Sequence, residues 1–355
     1  MKKIILIFIM TFVMIFPTYI MGYEHQASFV YVDDDKPAWW YDATHVHTIQ
    51  EGIAAVSSGG NVYVYDGSYE FNDGGNNLEI HKSLSINGQS TAGVILTSVP
   101  TYETGFECYN NWVNISHLTM TGASEGFISE GTINHINISY CNFINSARAI
   151  FLTKVNNFSA YNNFMTNLTD KGLFIPMSND VKICNNILVN VSEYGFSFGF
   201  HGLAVNRVYV FNNYIEQTGY QGMFVRTTSN SNFLNNTLID CGNIDYPGSP
   251  SLRYLYSQCA IHFHNSNNIN VKNTYINLSN HSGIYVNLSN NISIYNSIVT
   301  QNNHSGIQIN NSEYIMIAYC DISNNNESAI LVNNSANSTF VYNELYDNKY
   351  GVYIK

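Results

Sequence analysis

The sequence predicts an all-β solenoid, a fold in which each coil of the chain stacks on the one before it. The first observation is a fixed repeat: His-Ser-Gly-Ile occurs twice, and its glycines Gly283 and Gly306 are 23 residues apart (306 − 283). Repeats of about 20 to 50 residues are typical of solenoids. The second observation is the alternation that follows each glycine, which predicts that Ile284 and Val286 face the core and Tyr285 faces outward.

The repeat continues through most of the chain as two columns of related residues. Small residues precede each inward-facing strand at Gly126, Ala149, Gly172, Gly195, Gly222, Ala260, Gly283, Gly306, Ala329 and Gly351. An Asn-rich column runs through Cys141, Asn162, Asn185, Asn212, Asn236, Asn273, Asn296, Cys320 and Asn343. Asn tolerates the left-handed backbone of a sharp corner, and its amide can bond to the next Asn in a stack. We therefore expect Asn-rich corners between coils spaced ~4.8 Å apart.

The N-terminal residues 1–22 have the form of a secretory signal. Two lysines precede an apolar run, and Gly22 offers a small residue for cleavage. The alternative is an uncleaved membrane anchor, because residues 4–21 carry no charge. After signal cleavage we expect no membrane span.

Residues 23–112 predict a cap followed by the first coils. Thr48-Ile-Gln-Glu51 matches a capping box, in which the two end side chains bond to free backbone N–H groups. Ile49, Ile53 and Val56 follow at helical spacing, and Ser57-Ser-Gly-Gly60 predicts the end of the helix. Such a helix would cover the open end of the stacked sheets. Short strands are predicted at 29–32, 62–65, 78–80, 84–86 and 94–96.

Composition excludes one class of partner. The formal net charge is −11, and the chain has only 14 Lys and Arg residues. Nucleic-acid binding requires a basic surface, so we expect no nucleic-acid partner. Many Asn-x-Ser/Thr triplets permit N-glycosylation of a secreted protein.

The N-terminal run YVDDD…TIQEGIAAVSSGGNVYVYDGSYE…LEIHKSLSINGQS resembles secreted proteins of the pectate-lyase-like and NosD-like group on microbial cell surfaces. With the repeats of residues 113–355, the resemblance covers almost all of the mature chain. It implies a single-stranded right-handed parallel β-helix with a short N-terminal capping helix. It also implies a secreted or cell-surface location and a polysaccharide or cell-envelope glycan as partner.

The coils that break the repeat are the expected place for chemistry. The step from Gly222 to Ala260 is 38 residues (260 − 222) because of an insertion at 243–258. Insertions in solenoids form loops, often on the binding side. Aromatic rings stack on sugars and Arg binds carboxylates, so the predicted ligand-binding residues of the loop are Arg253, Tyr254 and Tyr256. The alternative is a surface loop without a function.

Residues beside the insertion extend this candidate site. His262 and His264 alternate along one strand and should both face outward, with Arg226 one coil earlier and Tyr220 nearby. Cys241 and Cys259 flank the insertion, where they predict either a disulfide at its base or two buried thiols.

Asp170 and Glu193 occupy equivalent positions in successive coils, which should place them ~5 Å apart at the backbone. That spacing resembles the carboxyl pair of a retaining glycosidase. The alternative is a pair of polar turn residues. A lyase would need a Lys or Arg base, and Arg148 and Lys171 also stack in adjacent coils. The catalytic candidates are Asp170, Glu193, Arg226 and His262.

Two further sets of residues suggest metal ions. His281, His304 and Glu327 form a column of side chains that serve as metal ligands, although duplication of the repeat explains the two histidines equally well. Asp33-Asp-Asp35 could bind Ca²⁺ or could complete turns at the capped end.

Three function classes remain open from the sequence. The first is non-catalytic glycan recognition or envelope structure, and the second is a polysaccharide lyase or glycoside hydrolase. The NosD-like resemblance implies a third, a metal-handling accessory protein. In addition, the sequence ends within an apparent strand at Lys355, and an exposed strand edge favours end-to-end self-association.

Overall fold

The computed structural model describes residues 27–71, 77–97, 103–200, 202–243 and 258–355. Over these ranges the chain winds into a parallel β-helix with three columns of strands, named sheets 1, 2 and 3 in the order in which a coil visits them. Each coil pairs in parallel with the next, for example Ile284 with Ile307 in sheet 1 and Ile292 with Ile315 in sheet 2. The predicted all-β solenoid is confirmed.

The strands of each sheet recur once per coil. Sheet 1 contains Leu78–Ile80, Phe106–Cys108, the first part of Glu125–Ser139, the first part of Arg148–Tyr161, Lys171–Ile175, Tyr194–Phe198, Met223–Arg226, Ile261–His264, Ile284–Asn287, Ile307–Asn310, Ser328–Asn333 and Tyr350–Ile354. Sheet 2 contains His45–Val46, Ala27–Val32, Val56–Val64, Leu84–Gly88, Val113–Ser116, the later parts of the two long strands, Ser178–Cys184, Val205–Phe211, Thr228–Leu234, Asn267–Lys272, Asn290–Tyr295, Glu313–Ala318 and Thr339–Val341. Sheet 3 contains Gly67–Glu70, Val94–Thr97, Thr119–Thr121, Asn142–Ile144, Phe164–Leu168, Ile187–Val191, Tyr214–Thr218, Thr237–Cys241, Tyr275–Asn277, Ile298–Thr300, Asp321–Ser323 and Glu344–Tyr346.

The core is a stack of like residues between the three sheets. Ile261, Ile284, Ile307 and Ile330 lie directly above one another and are fully buried. The small-residue column lies where the chain enters sheet 1. A Cβ added to Gly172 would lie 2.4 Å from Leu188 Cδ2 of the neighbouring sheet, so a larger side chain would force the sheets apart.

At the corner between sheets 2 and 3, one residue makes the left-handed turn and the next residue forms a buried hydrogen bond to the neighbouring coil. Asn162, Asn185 and Asn212 have left-handed backbones with a φ of 56°. The residues that follow them are buried and form an amide ladder, in which Asn163 Nδ2 donates to Asn186 Oδ1 and Asn186 Nδ2 donates to Asn213 Oδ1, each at 3.0 Å. The predicted Asn-rich column mixed members of these two columns, and the structure separates them.

The N-terminal cap contains a short 3₁₀ helix, Ala38–Trp40, and one α-helix, Ile49–Ala55. The predicted capping box is confirmed, because Thr48 Oγ1 accepts from Glu51 N at 3.1 Å and the Glu51 carboxylate accepts from Thr48 N. Ile49 and Ile53 are buried. The predicted end of the helix is wrong in detail, because Val56–Val64 forms a strand that pairs with Ala27–Val32.

Two predictions fall on parts of the chain that the structure does not describe. Residues 1–26 include the predicted signal, and residues 244–257 include most of the insertion with Arg253, Tyr254 and Tyr256. Within the described ranges, no helix is long and apolar enough to span a bilayer.

Candidate functional site

Charged side chains from four successive coils meet on the outer face of sheet 1. Arg148 Nη1 lies 2.9 Å from Glu125 Oε1, and Arg148 Nε lies 2.5 Å from Asp170 Oδ2. Lys171 Nζ contacts Asp170 Oδ1 and lies 2.8 Å from Glu193 Oε2. These five residues are called the charged row.

The structure brings the predicted carboxyl pair together. Glu193 N donates to Asp170 O at 2.9 Å, so the two residues lie in adjacent coils as expected. Burial opposes ionisation of Asp170, but hydrogen bonds with Glu193, Lys171 and Arg148 outweigh it and lower the pKa of Asp170. Burial, reinforced by the hydrogen bond with Asp170, raises the pKa of Glu193. The environments of the two carboxyl groups therefore push their pKa values in opposite directions.

Beside the charged row runs a line of rings, one per coil, called the aromatic stripe: Phe151, Phe174, Tyr194, Phe224, His262 and Tyr285. Ring centroids are 5.2 Å apart between Phe151 and Phe174 and 5.6 Å apart between Tyr194 and Phe224. The line continues at 5.2 Å to His262 and 4.7 Å to Tyr285. Strand register stacks Phe151 on Phe174, and Phe224 on His262 and Tyr285. The coil between them has Ser197 at that register position and contributes the ring of Tyr194, three residues earlier.

The charged row and the aromatic stripe touch through Lys171. Its Nζ lies 5.5 Å from the ring centre of Phe174 and 5.4 Å from that of Tyr194. Arg148 lies over Phe151 in the same way, at 5.3 Å. Cations at this distance from a ring face are attracted by its quadrupole. The two features therefore form one surface of flat rings bordered by paired charges.

The prediction that His262 and His264 both face outward needs correction. Both lie on the outer side of sheet 1, but His262 is only 9% exposed because the rings of Phe224 and Tyr285 cover it. Burial lowers the pKa of His262 to about 3, so its imidazole is neutral. His264 is half-buried and is the register partner of Arg226, so the predicted group of three does assemble. Burial, and then Arg226, lowers the pKa of His264.

The base of the insertion is tightly closed. Tyr220 precedes it, with its ring centroid 5.5 Å from that of Tyr194. Gly242 has a φ of +84°, and a Cβ at this residue would lie 2.2 Å from Gln258 O. Cys241 and Cys259 are both buried thiols in the structure, which is the second of the two alternatives given by their spacing.

The His281, His304 and Glu327 column forms, but its side chains do not converge. The two imidazole rings stack in parallel with centroids 4.3 Å apart, and His304 Nε2 lies 3.1 Å from Glu327 Oε2. Burial, and then the neighbouring His304, lowers the pKa of His281 to about 4. In the part of the chain that the structure describes, no three His, Cys, Asp or Glu side chains are grouped to hold a metal ion.

The aspartates at the capped end complete local turns. Lys36 Nζ lies 3.0 Å from Asp33 Oδ2, and Asp34 Oδ2 accepts from Ser68 N at 3.2 Å. Their oxygens are therefore engaged within the cap, and a bound Ca²⁺ there stays a prediction.

Sequence reasoning missed the four apolar members of the stripe, Phe151, Phe174, Phe224 and Tyr285, and also Glu125. A signal was present, because the second residue after each member of the small-residue column points outward from sheet 1. That position holds Phe151, Phe174, Phe224, His262 and Tyr285, and Ser197 occupies it in the coil that contributes Tyr194. The column that lies two residues before the small residue contains the carboxylates Asp170 and Glu193 but no run of rings.

Comparison with family models decides the family. The model described as a right-handed β-helix region matches residues 71–238 and 252–355, which is more than half of the chain. The chain belongs to the right-handed β-helix family. This confirms the predicted handedness and the resemblance in the sequence. A comparison with curated protein sequences found no match.

Solved structures share the fold at low sequence identity. The A-module of a mannuronan C-5 epimerase from Azotobacter vinelandii matches with a TM-score of 0.61 and 12% identity, covering 87% of this chain and 93% of that one. A DFA-IIIase from Arthrobacter chlorophenolicus matches with a TM-score of 0.58 and 12% identity, covering 82% of this chain and 88% of that one. A surface adhesin of Streptococcus pneumoniae matches with a TM-score of 0.55 and 11% identity, covering 85% of both chains. At this identity the likeness concerns the fold alone.

Proposed function

We propose that this chain is a secreted or cell-surface β-helix protein that binds a polysaccharide or envelope glycan on the outer face of sheet 1. The observation that carries the proposal is the aromatic stripe beside the charged row. Ring faces stack on the apolar faces of sugars, and a glycan that lies along the helix axis would pass one ring in each coil. Phe151, Phe174, Tyr194 and Phe224 are all partly exposed and accessible to such a ligand.

The pairing of charges favours recognition over catalysis. Arg148 is held between Glu125 and Asp170, and Lys171 between Asp170 and Glu193. A base must reach a substrate proton, whereas both side chains donate hydrogen bonds to carboxylates on two sides. They can still donate hydrogen bonds to sugar hydroxyls. Structures of this fold include a surface adhesin as well as a mannuronan epimerase, so a binding role has a precedent in the fold.

The second candidate function is a carbohydrate-active lyase or hydrolase. The observation in its favour is the opposite shift in the pKa values of Asp170 and Glu193. Two neighbouring carboxyl groups whose pKa values are pushed apart are the pattern that identifies an acid and a base in an active site.

One experiment separates the two functions. The full chain is incubated with a panel of polyuronates and neutral glycans, with binding measured by calorimetry and chain cleavage by reducing ends and unsaturated products. We expect binding of one glycan class without products, weakened about tenfold in Phe174→Ala. The matched control is Tyr209→Ala, which removes an exposed ring from sheet 2.

Each outcome has a distinct meaning. Products that disappear in Glu193→Gln would establish the enzyme and overturn the non-catalytic proposal. Equal losses of binding in Phe174→Ala and Tyr209→Ala would place the glycan elsewhere. The absence of both binding and products would overturn both functions.

A further inference from the structure

A second candidate surface lies at the junction of sheets 2 and 3, apart from sheet 1. An open groove of about 480 Å³ is lined by Asn270, Lys272, Tyr295, Asn296 and Tyr319. Lys272 and Tyr295 are register partners in adjacent coils, and the next partner in that line is Ala318. Lys272 and Tyr295 end the sheet 2 strands of their coils, and Asn296 and Tyr319 belong to the corner that follows. The groove therefore lies along this corner.

The backbone of Tyr319 is the unexpected feature of this groove. Its φ is +57°, a left-handed conformation that is unfavourable for a bulky side chain. The six preceding coils all have Asn at this corner position, where Asn is favoured: Asn162, Asn185, Asn212, Asn235, Asn273 and Asn296. The Tyr319 side chain is 58% exposed, so burial in the core does not compensate for this conformation.

Tyr319 is also held in a defined orientation. Its ring stacks on that of Tyr342 in the next coil, with centroids 5.1 Å apart and planes 15° apart. Stacking fixes one face of Tyr319 and leaves the other available. Tyr140 and Tyr342 share this corner position and its left-handed backbone, so the groove beside the ring is what distinguishes Tyr319.

The polar groups of the groove indicate which ligand it fits. Lys272 is exposed, and no carboxylate of the described residues lies within ion-pair distance of its Nζ. The amides of Asn270 and Asn296 lie beside it and can bond to hydroxyl groups. A flat ring, an exposed ammonium and two amides together complement a sugar ring that bears a carboxylate.

We propose that this groove is a binding site for an acidic sugar residue of an oligosaccharide, with the sugar ring on Tyr319 and its carboxylate on Lys272. The site shares no residue with the aromatic stripe or the charged row. The proposal for this groove can therefore be tested independently of the function proposed for sheet 1. The bound ligand lies across the corner, where Asn296 can contact its hydroxyls.

The test uses the full chain and a tetrasaccharide of galacturonate, compared with the same tetrasaccharide after methyl esterification. Esterification removes the charge and keeps the sugar rings. We expect the acid to bind about tenfold more tightly than the ester, because only the acid can pair with Lys272. Lys272→Gln should abolish that difference while leaving the ester's affinity unchanged.

Tyr319→Asn tests whether the ring of Tyr319 contacts the sugar. Asn is the suitable replacement because it occupies this corner position in six other coils. We expect a loss of about tenfold in affinity for both ligands, with a folded protein of equal or greater thermal stability. The matched control is Tyr314→Asn, since Tyr314 is also exposed and left-handed, with a φ of 55°, but does not line the groove. Tyr314→Asn should keep the wild-type preference for the acid.

Three results would overturn the proposal. One is equal affinity of the wild-type chain for acid and ester. Another is an acid preference that survives Lys272→Gln, and the third is an equal loss in Tyr314→Asn and Tyr319→Asn. A preference for the acid that disappears in Phe174→Ala alone would assign the acidic sugar to sheet 1 and likewise overturn the site at the corner.

Discussion

Asp170 and Glu193 occupy the same position in adjacent coils, and both of their carboxylates contact the ammonium group of Lys171. The shared cation is what allows two carboxyl groups to be neighbours at a partly buried site. Among the described residues, Asp170 is paired with Arg148 as well as Lys171, whereas Glu193 is paired with Lys171 alone, so the proton favours Glu193. Stability therefore depends on pH in two opposite ways. The contribution of Asp170 is lost as pH falls through its lowered pKa, and that of Glu193 is lost as pH rises through its raised pKa.

Lys171→Met tests this account. Without the shared cation the two carboxylates repel each other when both are ionised, so we expect a loss of about 1–3 kcal/mol in the free energy of unfolding near pH 7. Near pH 4.5 the pair can hold a proton, and the loss should be smaller. Urea unfolding followed by circular dichroism at both pH values measures the difference. Arg207→Met is the control, because its ion pair with Asp180 is exposed and should matter little. A loss that does not depend on pH would contradict the account.

His262→Phe tests the buried part of the aromatic stripe. Burial lowers the pKa of His262 to about 3, and its Nε2 has no hydrogen-bond partner among the described residues. Between this value and the unfolded pKa of about 6.5, only the unfolded chain takes up the proton, so the wild-type protein loses stability as pH falls. A Phe ring continues the line from Phe224 to Tyr285 without titrating. We expect the variant to gain about 1–2 kcal/mol over wild type near pH 5 and to lose little near pH 7.

The measurement is the urea midpoint at several pH values between neutral and acidic. His45→Phe is a suitable control, since its side chain is 31% exposed, lies in the cap and is hydrogen-bonded to Asp42. If the wild-type and His262→Phe midpoints fall in parallel with pH, the neutral buried imidazole is not responsible for the acid sensitivity.

The amide ladder at the corner makes a separate prediction. Asn186 Oδ1 accepts from both Asn163 N and Asn163 Nδ2, and Asn186 Nδ2 donates to Asn213 Oδ1 and to Ala160 O. Asn186→Ala leaves several buried groups without partners, so we expect a loss of about 2–4 kcal/mol in the free energy of unfolding. Asn156→Ala breaks a partly exposed stack on Asn134 and should cost less than about 1 kcal/mol. Chemical unfolding of the two variants side by side measures the contrast. Equal losses would show that burial of the ladder adds nothing.

This ladder also illustrates how far the sequence leads. The 23-residue period was sufficient to predict the solenoid, because stacked coils demand that like residues recur at equal intervals. It did not reveal which residue of each Asn-Asn pair, such as Asn162 and Asn163, turns inward. Both are Asn in several coils, so the pattern is the same for the left-handed corner and for the buried ladder. Only the course of the backbone distinguishes them.

In the candidate site too, the sequence predicted some features and not others. Asp170 with Glu193, and Arg148 with Lys171, could each be paired from their spacing in the sequence. The joining of the two pairs into one row depends on side-chain length and direction, which spacing does not specify. His262 was misjudged for a related reason. Alternation assigned it correctly to the outer side of sheet 1, but the neighbouring rings that bury it come from other coils.

Cys241 and Cys259 provide the last prediction, at the base of the insertion. Burial raises the pKa of Cys241 to about 12 and also raises that of Cys259, so neither thiol is activated as a thiolate. We expect both to resist iodoacetamide in the folded protein and both to react after unfolding without reductant, each adding one label by mass spectrometry. Cys184 is the control, since it is 6% exposed and should be labelled first. A protein in which Cys241 and Cys259 stay unlabelled until a reductant is added would contain the disulfide that their spacing in the sequence suggested. The loop between them would then be covalently closed, rather than held by the close approach of Gly242 to Gln258.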